Sequence, residues 1–132
     1  MITISVIKKT PCPVRIEDIK KRVIKVFKDN GISSEAEAEV VIVDAPEMLE
    51  FVEKYLHETG KIAAEHPVLS FVQMEIEGPF QFPPDNILHL GEIIVSYPHA
   101  VKIAKTQNKT ETEAVCELAE HSALHLLGIH HA

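Results

Sequence analysis

Apolar residues in this chain recur at intervals of two in some stretches and of three to four in others. That switching of period confines the fold to a sheet with helices packed around it. Residues 2–8 place Ile2, Ile4 and Val6 at every second position, as one face of a strand does. After Pro11 and Pro13, residues 15–30 carry Ile16, Ile19, Val23, Ile24 and Phe27 at helical spacing, with Asp29-Asn30-Gly31 as the stop. Residues 37–44 form a strongly apolar second strand. A second helix begins at Pro46, sets Met48, Phe51, Val52, Tyr55 and Leu56 on one side, and ends at Gly60. Residues 68–75 and 88–96 read as the third and fourth strands, separated by a Gly- and Pro-rich loop over 78–85. Residues 98–107 and 110–127 read as two further helices. The β-α-β-α-β-β-α-α order predicts an α+β fold, a mixed four-stranded sheet packed with about four helices.

At 132 residues, 45% hydrophobic and 25% charged, the chain suits a single domain over 1–132 with one core. No apolar run approaches the roughly 18 residues needed to span a bilayer. The first residues read as a strand and lack the basic start and cleavage site of a signal peptide, so a cytoplasmic location without membrane partners is expected. Cys12 and Cys116 then give no reason to expect a disulfide.

The net charge of −7 conceals an asymmetry. Residues 1–28 hold Lys8, Lys9, Arg15, Lys20, Lys21, Arg22, Lys25 and Lys28 against Glu17 and Asp18, so this segment is +6 and the remainder −13. Two readings fit: a face along which an RNA backbone lies, or a solvated amphipathic helix, which charge alone favours.

The chemistry gathers at His121-Ser122-Ala123-Leu124-His125-Leu126-Leu127-Gly128-Ile129-His130-His131. Histidines four apart on a helix sit one turn above each other and point the same way. Gly128 offers the positive φ that ends a helix, after which His131 can swing back toward the same face. Three imidazoles with a coordination position left for water make a catalytic zinc site. His130 competes with His131 for the third place, though spacing favours His131, and three imidazoles also suit nickel, copper or iron. Cys116 lies roughly 140° around the helix from His121 and is expected in the core. His57, His66, His89 and His99 lie at no ligand spacing from one another and are expected to be structural.

Metzincin proteases share this histidine spacing, but need a glutamate directly after the first histidine as general base. Ser122 stands there, and Glu120 lies on the wrong side of His121, about 100° round the helix. A protease is therefore disfavoured. The run is closer to the hallmark of the YbeY family of metal-dependent endoribonucleases, approximately H-G-x-L-H-L-x-G-Y-D-H. All three ligand positions match, with Leu124, Leu126 and Gly128. Two further blocks extend the resemblance. Val68-Leu69-Ser70-Phe71 resembles the family's V-L-S-F segment, and Leu90-Gly91-Glu92-Ile93-Ile94-Val95-Ser96 resembles L-G-D-I-x-I-S. The likeness covers roughly residues 35–131.

The departures are specific. The family commonly carries an arginine ahead of V-L-S-F, and the nearest basic residue here is Lys61, aligned with a one-residue gap. Lysine can neutralise a phosphate as a point charge without the bidentate contact. Ser122 replaces a glycine and His130 an aspartate, and relatives usually continue with a further helix where this sequence stops at Ala132.

The resemblance implies a single-strand-specific endoribonuclease acting on rRNA in maturation and ribosome quality control, with the ribosome or ribosomal proteins as partners. It implies one Zn2+ held by His121, His125 and His131. Water at such an ion would reach a pKa of about 7. Lys61 would neutralise transition-state charge. Glu117, one turn before His121, would orient a ligand or water, as would Glu92 from an edge strand. Phe71, Phe80, Phe82 and Tyr97 are the few stacking candidates, which favours weak sequence preference. The alternatives are a non-catalytic ribosome-associated metal-binding module and another zinc hydrolase such as a peptidase.

Overall fold

The two most apolar strands are the two that are covered on every side. The computed structural model of the protein describes residues 2–33, 35–55, 68–72 and 87–127. Among them β1 (Ile2–Lys8) runs parallel to β2 (Ala36–Val43), and β2 parallel to β4 (Leu88–Ser96). Strand β3 (Val68–Val72) lies antiparallel on the other side of β4, giving the order β1-β2-β4-β3. Both β2 and β4 are interior strands with helices on both faces. Their sequences therefore run Val40–Val43 and Ile93–Val95 without polar interruption, instead of alternating.

The described residues form four helices: α1 (Ile16–Asp29), α2 (Ala45–Tyr55), α3 (Tyr97–Gln107) and α4 (Glu111–Leu126). Val40, Ile42, Ile93 and Val95 join the larger core with α1, α3 and α4, whereas Val41, Val43 and Ile94 pack against Met48 and Val52 of α2. Helix α1 contributes Ile19, Val23 and Phe27, four residues apart and fully buried. Element bounds agree with the sequence reading to within a residue or two, the usual ambiguity of frayed ends. The continuation of the second helix to Gly60, of the third strand to Glu75, and the loop over 78–85 fall outside the described residues. One expectation fails: β4 is not an edge strand. Its continuous apolar run marks it as central.

Helix α4 lies against α1 and α3 and crosses β3 and β4. Its buried stripe is Ala114, Val115, Cys116, Ala119, Ser122, Ala123 and Leu126. Four of these seven are alanine or serine, so the helix approaches its neighbours closely. Beneath it β4 carries a bulge. Glu37 stands opposite His89 but Ala38 opposite Gly91, leaving Leu90 as the extra residue. Gly91 takes φ 135°, which L side chains rarely adopt. No helix among the described residues is long and apolar enough to cross a membrane.

Gly91→Ala should destabilise the fold by about 1–3 kcal/mol through backbone strain, read as a lower urea midpoint at unchanged slope. Cys116 is buried as expected, and loss of water pushes its thiol from 9.0 up to about 11. The unfolded thiol ionises first, so native stability from this group is full below 9.0 and declines as pH rises toward 11. Cys116→Ala should flatten that alkaline decline in denaturation curves. In the native protein at pH near 8, a thiol reagent should label Cys12 and spare Cys116.

Candidate metal centre on the last helix

Helix α4 starts where its sequence says a helix should start. Asn108 ends α3 in the left-handed region, at φ 54° and ψ 51°. Thr110 then caps α4, its hydroxyl accepting the Glu113 N–H at 3.1 Å. Glu111 and Glu113 place negative charge at the positive end of the helix dipole. The first turns are further pinned by side chains. Thr112 Oγ1 accepts the Arg15 N–H at 3.2 Å, and Tyr97 donates its hydroxyl proton to Glu111 Oε1 at 2.6 Å. That carboxylate pushes the phenol up to about 12. With its hydroxyl so engaged and its ring half-buried, Tyr97 is part of the helix anchor and offers no open stacking platform.

The histidines occupy the last turns of this anchored helix. The rings of His121 and His125 lie with centroids 4.5 Å apart at an interplanar angle of 51°, the first exposed and the second half-buried. Two nitrogens bound to one tetrahedral zinc stand about 3.3 Å apart, given bonds of 2.0–2.1 Å. Rings at this separation on one helix face can supply that pair, so the residues present fit the ion. The third candidate ligand, His131, lies outside the described residues, as do His130 and Lys61. Among the described residues no group of three histidine, cysteine, aspartate or glutamate side chains converges.

Ser122, one residue on from His121, is only 2% exposed and points into the core. A buried serine there supplies no carboxylate base, so a protease stays disfavoured. Glu117 accepts an ion pair from Lys109 Nζ at 2.5 Å, which ties it to the α3–α4 connection. Glu92 is exposed on the opposite side of the sheet from α4, where with Ser5, Glu37, Glu39 and His89 it lines an open acidic cleft of about 200 Å³. It cannot orient water at His121. Two of the remaining histidines have local partners: His89 Nδ1 meets Glu37 Oε1 at 2.6 Å, and His99 Nδ1 meets the buried Ser96 hydroxyl at 2.7 Å. His57 and His66, and the side chains of Phe71, Phe80 and Phe82, lie outside the described residues.

Four of the eight basic residues of the N-terminal segment meet carboxylates within the molecule. Arg15 faces Asp18 at 3.8 Å, Lys20 faces Glu17 at 3.9 Å, and Lys25 meets Asp29 at 2.5 Å. Arg22 reaches across to α4, where Nη1 donates to Glu113 at 2.7 Å and Nη2 pairs with Glu120. Sequence reasoning missed Arg22. The signal was a pair of glutamates seven apart on one stripe of α4, which asks for a cation from a neighbouring helix.

The three blocks that carried the resemblance are neighbours in space. V-L-S-F-V is β3, L-G-E-I-I-V-S is β4 paired to it, and the histidine helix crosses both. Comparison with known proteins supports the resemblance. A family model described as Endoribonuclease YbeY matches residues 4–132. The chain is 33% identical over 138 aligned residues to the endoribonuclease YbeY of Dehalococcoides mccartyi strain BAV1, covering 97% of this chain and 83% of that protein. It is 32% identical over 121 residues to that of Dehalococcoides mccartyi strain 195, covering 86% and 67%. The YbeY of Deinococcus radiodurans is 38% identical over 97 residues, covering 74% and 57%. With the match extending over nearly its whole length, the chain belongs to the YbeY endoribonuclease family.

Proposed function

We propose that this protein is a metal-dependent endoribonuclease that hydrolyses phosphodiester bonds of single-stranded RNA, acting on rRNA in the cytoplasm during maturation and ribosome quality control. The observation that carries the reading is the pair of adjacent imidazoles on a helix that crosses β3 and β4, in a chain of this family. Relatives at about one-third identity are named endoribonucleases, which supports RNA as the substrate. Association with the ribosome or its proteins belongs to the same proposal.

His121, His125 and His131 would hold one zinc ion. Bound there, zinc supplies Lewis acidity, drawing charge from a phosphate oxygen and activating water near neutral pH. The protein's own residues do the rest. His121 and His125 would present two nitrogens to the ion from successive turns of one helix. Lys61 contributes a positive charge toward the phosphoryl oxygens. Glu117, one turn before His121 and held by Lys109, would orient a ligand or water.

His125→Ala should abolish cleavage of a fluorescent single-stranded RNA, and a chelator should do the same reversibly, with circular dichroism unchanged in both. Stoichiometric zinc by elemental analysis with cleavage that persists in His125→Ala would overturn the reading. Lys61→Ala should lower kcat by roughly 10- to 100-fold while leaving zinc content intact, as expected for removal of one electrostatic contact in the transition state. Equal kcat in the variant would remove Lys61 from the mechanism.

A further inference from the structure

We propose that the free edge of β1 is a self-association surface, where a second copy of this chain extends the sheet by two-fold antiparallel pairing. Among the described residues no strand pairs with β1 on the side away from β2. Lys9 donates its N–H to the Ile42 carbonyl at 2.8 Å, and Lys8 stands in register with Ile42. In a parallel ladder that bond fixes the parity. Thr3, Ser5 and Ile7 turn their backbone groups to β2, whereas Ile2, Ile4, Val6 and Lys8 turn theirs outward. Natural edges are commonly blunted by proline, bulges or charge. This one has no proline, pairs with β2 without a register shift, and carries one charged side chain, Lys8, at its end.

The strand is complementary to itself. Full overlap about a two-fold axis at Ser5 sets Ile4 against the partner's Val6 and Ile2 against the partner's Lys8, each pair exchanging both backbone bonds. The two Lys8 side chains then lie at opposite ends of the contact. On the other face Ile7 meets the partner's Thr3, a pair of β-branched side chains. Ile7, at 40%, is the exposed large hydrophobic side chain among the described residues, so this edge is also where apolar surface is left open.

Helix α1 favours the same occupant. It runs antiparallel to β1, and its 14 residues span about the same 20 Å as the 7 residues of the strand. The axis at Ser5 therefore passes near the middle of the helix, between Arg22 and Val23. Arg22 faces α4, which leaves Glu17, Ile24 and Lys28, roughly 120–160° further round, on the side toward the free edge. The same axis brings Glu17 of each copy to the partner's Lys28, with Ile24 near the middle. Both charged side chains are exposed, and the contact of Glu17 with Lys20 inside the chain is loose, at 3.9 Å. Charges that find their opposites under a two-fold axis favour a second copy over an unrelated strand.

Sedimentation velocity of the full chain over a wide concentration range tests this, with circular dichroism alongside. The wild type should sediment as a dimer that dissociates on dilution. Val6→Pro removes an outward donor and no bond to β2, so it should be folded and monomeric. Glu17→Lys, set against the partner's Lys28, should weaken the dimer about tenfold, and adding Lys28→Glu should restore it. If Val6→Pro does not fold, the charge exchange decides. A dimer unaffected by the folded variants would overturn the β1 edge as its interface. Wild-type protein that stays monomeric at every concentration would overturn the second copy as occupant and leave the edge to an extended segment of another protein.

Discussion

The close seating of α4 on its neighbours is the contact on which the rest of the molecule depends. A helix whose buried stripe is mostly alanine and serine can come near to a sheet, and α4 crosses both β3 and β4 while also lying along α1 and α3. This one helix closes the larger core and carries the candidate ligands. Stability and the site therefore share a support. Burial of Cys116, Ala119 and Ala123 on one side obliges His121 to face outward on the other.

Small side chains give proximity without register, and polar contacts supply the register. Thr110 fixes the first turn, Tyr97 and the Arg15 backbone hold the next residues, Lys109 takes Glu117, and Arg22 spans Glu113 and Glu120. These lie along the first ten residues of the helix, and the histidines follow directly. The anchored portion and the chemical portion of α4 are thus consecutive, and the rigidity of a helix transmits the one to the other.

Much of this was legible in the sequence, and the failures have physical reasons. Alternation in Ile2, Ile4 and Val6 and the helical spacing of Ile19, Val23 and Phe27 placed β1 and α1 because each has one wet face and one dry one. Strand β4 lacks that contrast, so its run Ile93–Val95 marked burial without revealing which strands flank it, and it was misplaced at an edge. Strand order depends on crossovers that local pattern does not encode. The bulge at Leu90 adds a second obstacle, since the faces of His89 and Glu92 follow one parity only if the extra residue is known. The spacing of His121 and His125 was readable because a helix sets it locally. The partnership of Arg22 with α4, across 91 residues, was not.

The internal pairing of the basic segment bears on how this protein meets a polyanion. Four of the eight cations are already matched, by Asp18, Glu17, Asp29 and the Glu113–Glu120 pair, and so neutralise fewer phosphates and release fewer counterions from a nucleic-acid backbone. Glu37, Glu39 and Glu92 turn a further acidic surface away from α4, and the chain as a whole carries −7. The net field of the whole chain therefore opposes a polyanion at long range. The encounter rate should depend on ionic strength in the sense opposite to that of a basic nucleic-acid binder, with added salt relieving repulsion. Capture is then left to contacts at short range.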